Sequence, residues 1–149
     1  MTRLGVAAFA WIAVGACSGG GAGGLPTTQQ FTRQVDATPA RVVAATVETF
    51  SRYGIPVQSA DETKGEVHSV PLNLRGYWGP TPPEDRVNCP SGAADTVAAR
   101  VTFDVKAKSV DNGSVISIDA RRDGGGPCVV RSTFVTQLLD SIATTARRR

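Results

Sequence analysis

The chain has 149 residues, 41% hydrophobic and 19% charged, with three cysteines and one histidine. Its formal charge of +3 comes from its ends: of 16 basic residues, Arg3 and the triplet Arg147, Arg148 and Arg149 lie outside the body, leaving 12 basic against 13 acidic. A near-neutral body argues against a nucleic-acid binder, which needs a basic face. A lone histidine, with no cysteines in CxxC spacing, argues against zinc sets and a Cys–His nucleophile.

Arg3 gives a short positive start, and residues 4–16 form an uncharged, mostly apolar run. A membrane-spanning helix needs about 20 apolar residues, so this run has the length of a signal peptide's apolar core. It ends Val14-Gly15-Ala16-Cys17. Those four residues resemble the bacterial lipobox, an aliphatic residue and two small ones before the cysteine that is lipidated. The resemblance implies residues 1–16 as signal peptide, a diacylglyceryl group on the Cys17 thiol and an amide-linked acyl chain such as palmitate. Two or more chains anchor firmly where one does not. Ser18 in place of aspartate implies the outer membrane, with the body facing the periplasm.

Residues 17–30, with glycines at 19–21, 23 and 24, read as a tether of roughly 20 Å in a coil. One domain follows over residues 31–146, and residues 147–149 read as a basic tail, either a frayed, solvated end or a contact for anionic lipid headgroups. Phe31–Ala37 alternates as a half-buried strand. Thr38-Pro39 starts a helix, with Thr38 as N-cap and Pro39 at its first position. Val43, Val47 and Phe50 make its apolar stripe, joined by Val42 and Tyr53, and Gly54 suits the position just past its end. Short extended runs follow at residues 55–59 and 66–70, joined by an acidic turn, with Pro71 marking a strand end.

Residues 73–95 show no apolar period and hold Pro80, Pro82, Pro83 and Pro90, a long loop for a compact domain. A strand from Val97 to Lys108 follows, then the hairpin turn Asp111-Asn112-Gly113, then a return strand with Ile116, Ile118 and Ala120 inward. A Gly-rich connection over residues 122–127 leads to a helix from Ser132 to Ala146, its buried face Val135, Leu138, Leu139, Ile142 and Ala146. The expected fold is a two-layer α+β domain: a four- to five-stranded antiparallel sheet with two helices on one face. With Cys17 spent on lipid, Cys89 and Cys128 are a pair in an oxidising compartment, where a disulfide is expected.

The tract from Phe31 to Val70 is similar in layout to small envelope lipoproteins and to the helix-grip domains of the BamC family. Those lipoproteins accompany the outer-membrane β-barrel assembly machine. The resemblance implies an accessory that docks on an envelope protein complex, and it brings no catalytic residues.

No nucleotide, metal or cofactor motif appears in the chain. His68 shares a strand face with Glu66, so a general-base pair and a surface pair are both open readings. Tyr77 and Trp78 sit in the Pro-rich loop with Arg75 and Arg86 nearby. Either the rings and guanidiniums form a platform for glycan, peptide or lipid, or the rings fold back over the sheet as satellite core. Two functions follow as expectations: a non-enzymatic, lipid-anchored interaction module, or a ligand-binding lipoprotein working through this loop.

Overall fold

The computed structural model describes residues 28–89, 99–124 and 128–149. The expected signal peptide, Cys17, the tether up to residue 27, Pro90, Val97, Gly125 and Gly126 lie outside the described residues. Eleven elements follow one another: β1 Thr28–Val35, α1 Pro39–Arg52, β2 Val57–Asp61, β3 Glu66–Ser69, β4 Leu72–Asn73, α2 Pro83–Arg86, β5 Val87–Asn88, β6 Arg100–Val110, β7 Gly113–Asp123, β8 Val129–Val130 and α3 Ser132–Arg148.

The domain is α+β. Its main sheet runs β1-β7-β6-β3-β2, antiparallel at every pairing, and α1 and α3 pack together against it. β4 pairs with β6 through Leu72 opposite Val101 and Asn73 opposite Arg100. β3 and β4 therefore share one place beside β6, interrupted at Val70-Pro71. Proline has no N–H to donate to a ladder. In that gap the Phe103 N–H donates instead to the buried Ser69 hydroxyl at 2.8 Å.

The hairpin of β6 and β7 is the spine. Val101, Phe103, Val105 and Ala107 of β6, with Ile116, Ile118 and Ala120 of β7, point into the helix layer and are buried. From the helices come Val42, Val43 and Phe50 of α1, and Phe134, Leu138, Leu139 and Ile142 of α3. The rings form a continuous group: Phe103 sits 6.2 Å from Phe50 and 6.4 Å from Phe134, all edge to face. Such geometry is the favoured one for quadrupolar rings.

Four boundaries differ from the sequence reading. β1 begins at Thr28, inside the expected tether, because Gln29 and Gln30 find ladder partners in Ala120 and Asp119. On α1, Val47 is exposed and Thr46 and Thr49 are buried, since the helix presents its 42, 45, 46, 49 and 50 side to the core. The loop after Asn73 holds one helical turn, α2, and the strand β5, which pairs with β8 as Val87 opposite Val130. Arg147 and Arg148 continue α3 instead of fraying, and Arg149 meets Glu48 at 2.6 Å.

Candidate functional site

Helix α1 ends as its capping residues dictate. Thr38 Oγ1 accepts from the Arg41 N–H at the start. At the other end Gly54 takes φ +66°, the Gly54 N–H donates to Ser51 O and the Ile55 N–H to Phe50 O. This is the Schellman arrangement, open to glycine at no Cβ penalty. The loop after Asn73 lies directly on this helix end. A Cβ on Gly79 (φ +68°) would stand 2.0 Å from the carbonyl oxygen of Tyr53, and a Cβ on Gly54 would stand 2.2 Å from the Gly79 nitrogen. Two backbones touch here, and both positions need glycine.

The four loop residues separate into two roles. Trp78 is only 8% exposed. Its ring packs 6.1 Å from Phe103 and 5.8 Å from Phe134, and its Nε1–H donates to Asn73 O at 3.0 Å. It completes the aromatic group of the core. Arg86 is fully buried, with its guanidinium carbon 3.8 Å from the centre of the Trp78 ring. Its Nε donates to Thr81 O and its Nη2 to Gly76 O, each at 2.8 Å, so one fork closes the loop across its stem. Nη1 is buried without a hydrogen-bond partner among the described residues. Burial holds the Arg86 pKa below the usual arginine value, a shift that Glu84 partly opposes. Trp78 and Arg86 are thus not presented to a ligand; they fold back as core, and the platform reading is corrected for both.

Tyr77 is the opposite case. It is 91% exposed, between a residue whose carbonyl Arg86 holds and a tryptophan locked in the core. Arg75 is held at its backbone, where its N–H donates to Asn73 Oδ1 at 3.0 Å. Its side chain lines a recess of about 310 Å³ with Pro83, Glu84, Val87, Cys89 and Arg131. Arg131, which the sequence reading did not single out, is seated by Nε donation to Glu84 O at 2.8 Å and Val87 O at 3.1 Å. Its recruitment depends on the β5–β8 pairing. The Cys89–Cys128 disulfide lies immediately beyond that pairing and ties the loop to the start of α3.

His68 belongs to the outer face of the sheet. Its Nδ1 lies 2.7 Å from Asp104 Oδ1, and its Nε2 lies 3.9 Å from Glu66 Oε2. Lys106 pairs with Glu66 at 3.4 Å and Arg121 with Asp104 at 3.5 Å. The group is a cross-strand lattice of alternating charge, a pattern that stabilises neighbouring strands. Glu66 was the partner legible from alternation; Asp104, the nearer one, comes from the β3–β6 register that sets His68 opposite it. Among the described residues no group of three or more His, Cys, Asp or Glu side chains is arranged to hold a metal ion, and no helix is long and apolar enough to cross a membrane.

No protein-family model matches the chain, and no curated protein sequence matches it. Solved structures do. Protein MLL2253 from Mesorhizobium loti is 10% identical, with 81% of this chain and 97% of that one covered and a TM-score of 0.50. The likeness shows the fold alone. The crystal structure of Ara h 8.0201 matches at 14% identity over 80% of this chain and 93% of that one, with a TM-score of 0.44. Protein CV1439 from Chromobacterium violaceum matches at 17% identity over 80% and 96%, with a TM-score of 0.40.

Proposed function

We propose that this protein is a lipid-anchored module of the bacterial cell envelope that acts by binding, not by catalysis, through the end of the domain that carries Tyr77. The anchor rests on Val14-Gly15-Ala16-Cys17 after the apolar run. The binding surface rests on one observation: Tyr77 stands 91% exposed on a loop that buried Trp78 and Arg86 hold in shape. An exposed tyrosine there contributes little to folding. A large side chain with few rotatable bonds, on a backbone held at both neighbours, gives contact area at low entropic cost, which is what a binding surface needs. The interior supports a module that docks through its surface, because the space between sheet and helices is filled by Phe50, Phe103, Phe134 and Trp78. An accessory role on an envelope protein complex, as the helix-grip lipoproteins suggest, fits this reading.

The test places a photoreactive amino acid at position 77 in intact cells, with the same group at Lys108 on the outer sheet face as control. Adducts from position 77, absent from position 108 and lost in Cys17→Ser, support the proposal. Equal adducts from both positions, or a Cys17→Ser chain that fractionates with the membrane and carries its palmitate label as before, overturn it. Tyr77→Ala is expected to melt within about 2 °C of the parent chain, since surface changes away from packing lie within ±0.5 kcal/mol. A larger loss would make Tyr77 a folding residue.

A further inference from the structure

We infer that what Tyr77 meets is the headgroup layer of the bilayer that holds the anchor; the inference rests on the lipid-anchor reading above. Sheet register puts the start of the folded chain and the Tyr77 loop at the same end of the molecule. Thr28 pairs with Arg121 of β7, which pairs in turn with Thr102 of β6, and Asn73 pairs with Arg100 two residues away on that same strand. A line of hydrogen bonds joins the two places across the helix side. Gln29 donates to Val130 O at 3.1 Å, the Arg131 N–H donates to Arg86 O at 2.7 Å, and Arg86 donates to Gly76 O, next to Tyr77.

Distance then decides which end faces the membrane. Ten residues separate Cys17 from Thr28, a reach of at most about 35 Å fully extended and about 18 Å as a Gly-rich coil. β1 carries the chain away from that point for eight residues, so the hairpin end at Gly113 and Val35 is about 24 Å further off. The near end therefore sits within reach of the bilayer for most tether conformations, and the far end for few. Tyrosine suits that position, being a residue with an apolar body and a polar tip that gathers at membrane–water interfaces. Arg75 and Arg131, lining the recess beside the loop with Glu84, are placed where lipid phosphates would lie.

The opposite end offers a competing surface, with Arg41, Arg147, Arg148 and Arg149. Two of its four charges are held within the domain: Arg149 pairs with Glu48, and Arg41 donates to Arg147 O at 3.2 Å, where the α3 C-terminus draws cations. Asp36 and Asp111 line the same recess as Arg41 and offset it further.

The experiment uses the full-length protein purified from membranes and reconstituted into vesicles of phosphatidylethanolamine and phosphatidylglycerol, with intact mass recorded first. A photoreactive group at position 77 is expected to give a mass adduct of phospholipid, and one at Arg148 is not. Tyr77→Cys carrying an environment-sensitive dye is expected to shift to the blue and be quenched by headgroup-nitroxide lipid, with the same dye at Arg148→Cys unchanged. Acylated protein with no lipid adduct and no quenching at position 77 overturns this inference alone, as does an adduct to protein in intact membranes. Lipid contact at position 148 instead overturns it too. A mature mass without acyl chains overturns the anchor reading and the inference with it.

Discussion

Arg86 is where the loop's architecture is most exposed to a single change. Arg86→Met keeps an unbranched stem of similar length and removes the guanidinium, leaving Gly76 O and Thr81 O without their donors. Each lost partner costs about 1–3 kcal/mol for a buried group, and the stacked guanidinium on Trp78 adds about 1 kcal/mol. Against that stands relief of a buried cation whose desolvation the charge of Glu84 offsets only in part. The net expectation is a loss of about 3 kcal/mol, or roughly 10 °C in melting temperature for a domain of this size. Urea titration followed by far-UV circular dichroism reads the stability, and near-UV circular dichroism reads the packing of Trp78. Arg86→Lys recovers less than half, because one ammonium does not span two carbonyls in fork geometry and does not stack as a plane. An Arg86→Met chain within 0.5 kcal/mol of the parent, or an Arg86→Lys chain equal to it, refutes the reasoning.

Other changes test separate links. Replacing Cys89 and Cys128 by serine opens a loop of 39 residues and is expected to cost about 4 kcal/mol, read as a lower urea midpoint that reductant no longer shifts. Gly79→Ala is expected to cost at least about 2 kcal/mol, because its Cβ meets fixed backbone at a positive φ; an unchanged urea midpoint would show that the loop does not rest on α1 as described. The carboxyl of Glu48 is held below its ordinary pKa chiefly by its hydrogen bond with Arg149, with the charges of Arg149 and Arg52 adding to it. A lowered folded-state value gives stability that is present above the unfolded pKa and lost as pH falls through the folded one. Glu48→Gln should therefore flatten the acid limb of the urea midpoint from about pH 5 to about pH 3, around the usual carboxylate range. An acid limb of unchanged slope would refute the pairing.

The parts legible in the sequence are those governed by neighbours along the chain. Thr38-Pro39 and Gly54 bound α1 because capping is chemistry within four residues of a helix end. The alternation of β6 and β7 around Asp111-Asn112-Gly113 specifies a hairpin and its buried face together, since a one-residue slip would turn every side chain over. Two cysteines left in one domain already suggested the bridge between Cys89 and Cys128. The loop was another matter. Tyr77 and Trp78 are adjacent aromatics with the same local signal, yet one is 91% exposed and the other is locked between Phe103 and Phe134.

Only contacts between distant segments separate them. Trp78 turns inward because Phe103 and Phe134 leave a ring-sized place beside them, and because Gly54 and Gly79 let two backbones meet. Arg86 reads as a surface residue by type, and its burial follows from two carbonyls and a ring face converging on one guanidinium. Gln29, Gln30 and the β5–β8 pair become strands for the same reason: a polar or two-residue segment has no period of its own, and pairing with β7 or across the disulfide supplies its order. Periodicity and capping settled the elements that bury their own face. The placement of the loop that bears Tyr77 was settled by packing partners that lie 25 to 56 residues further along the chain, at Phe103 and Phe134.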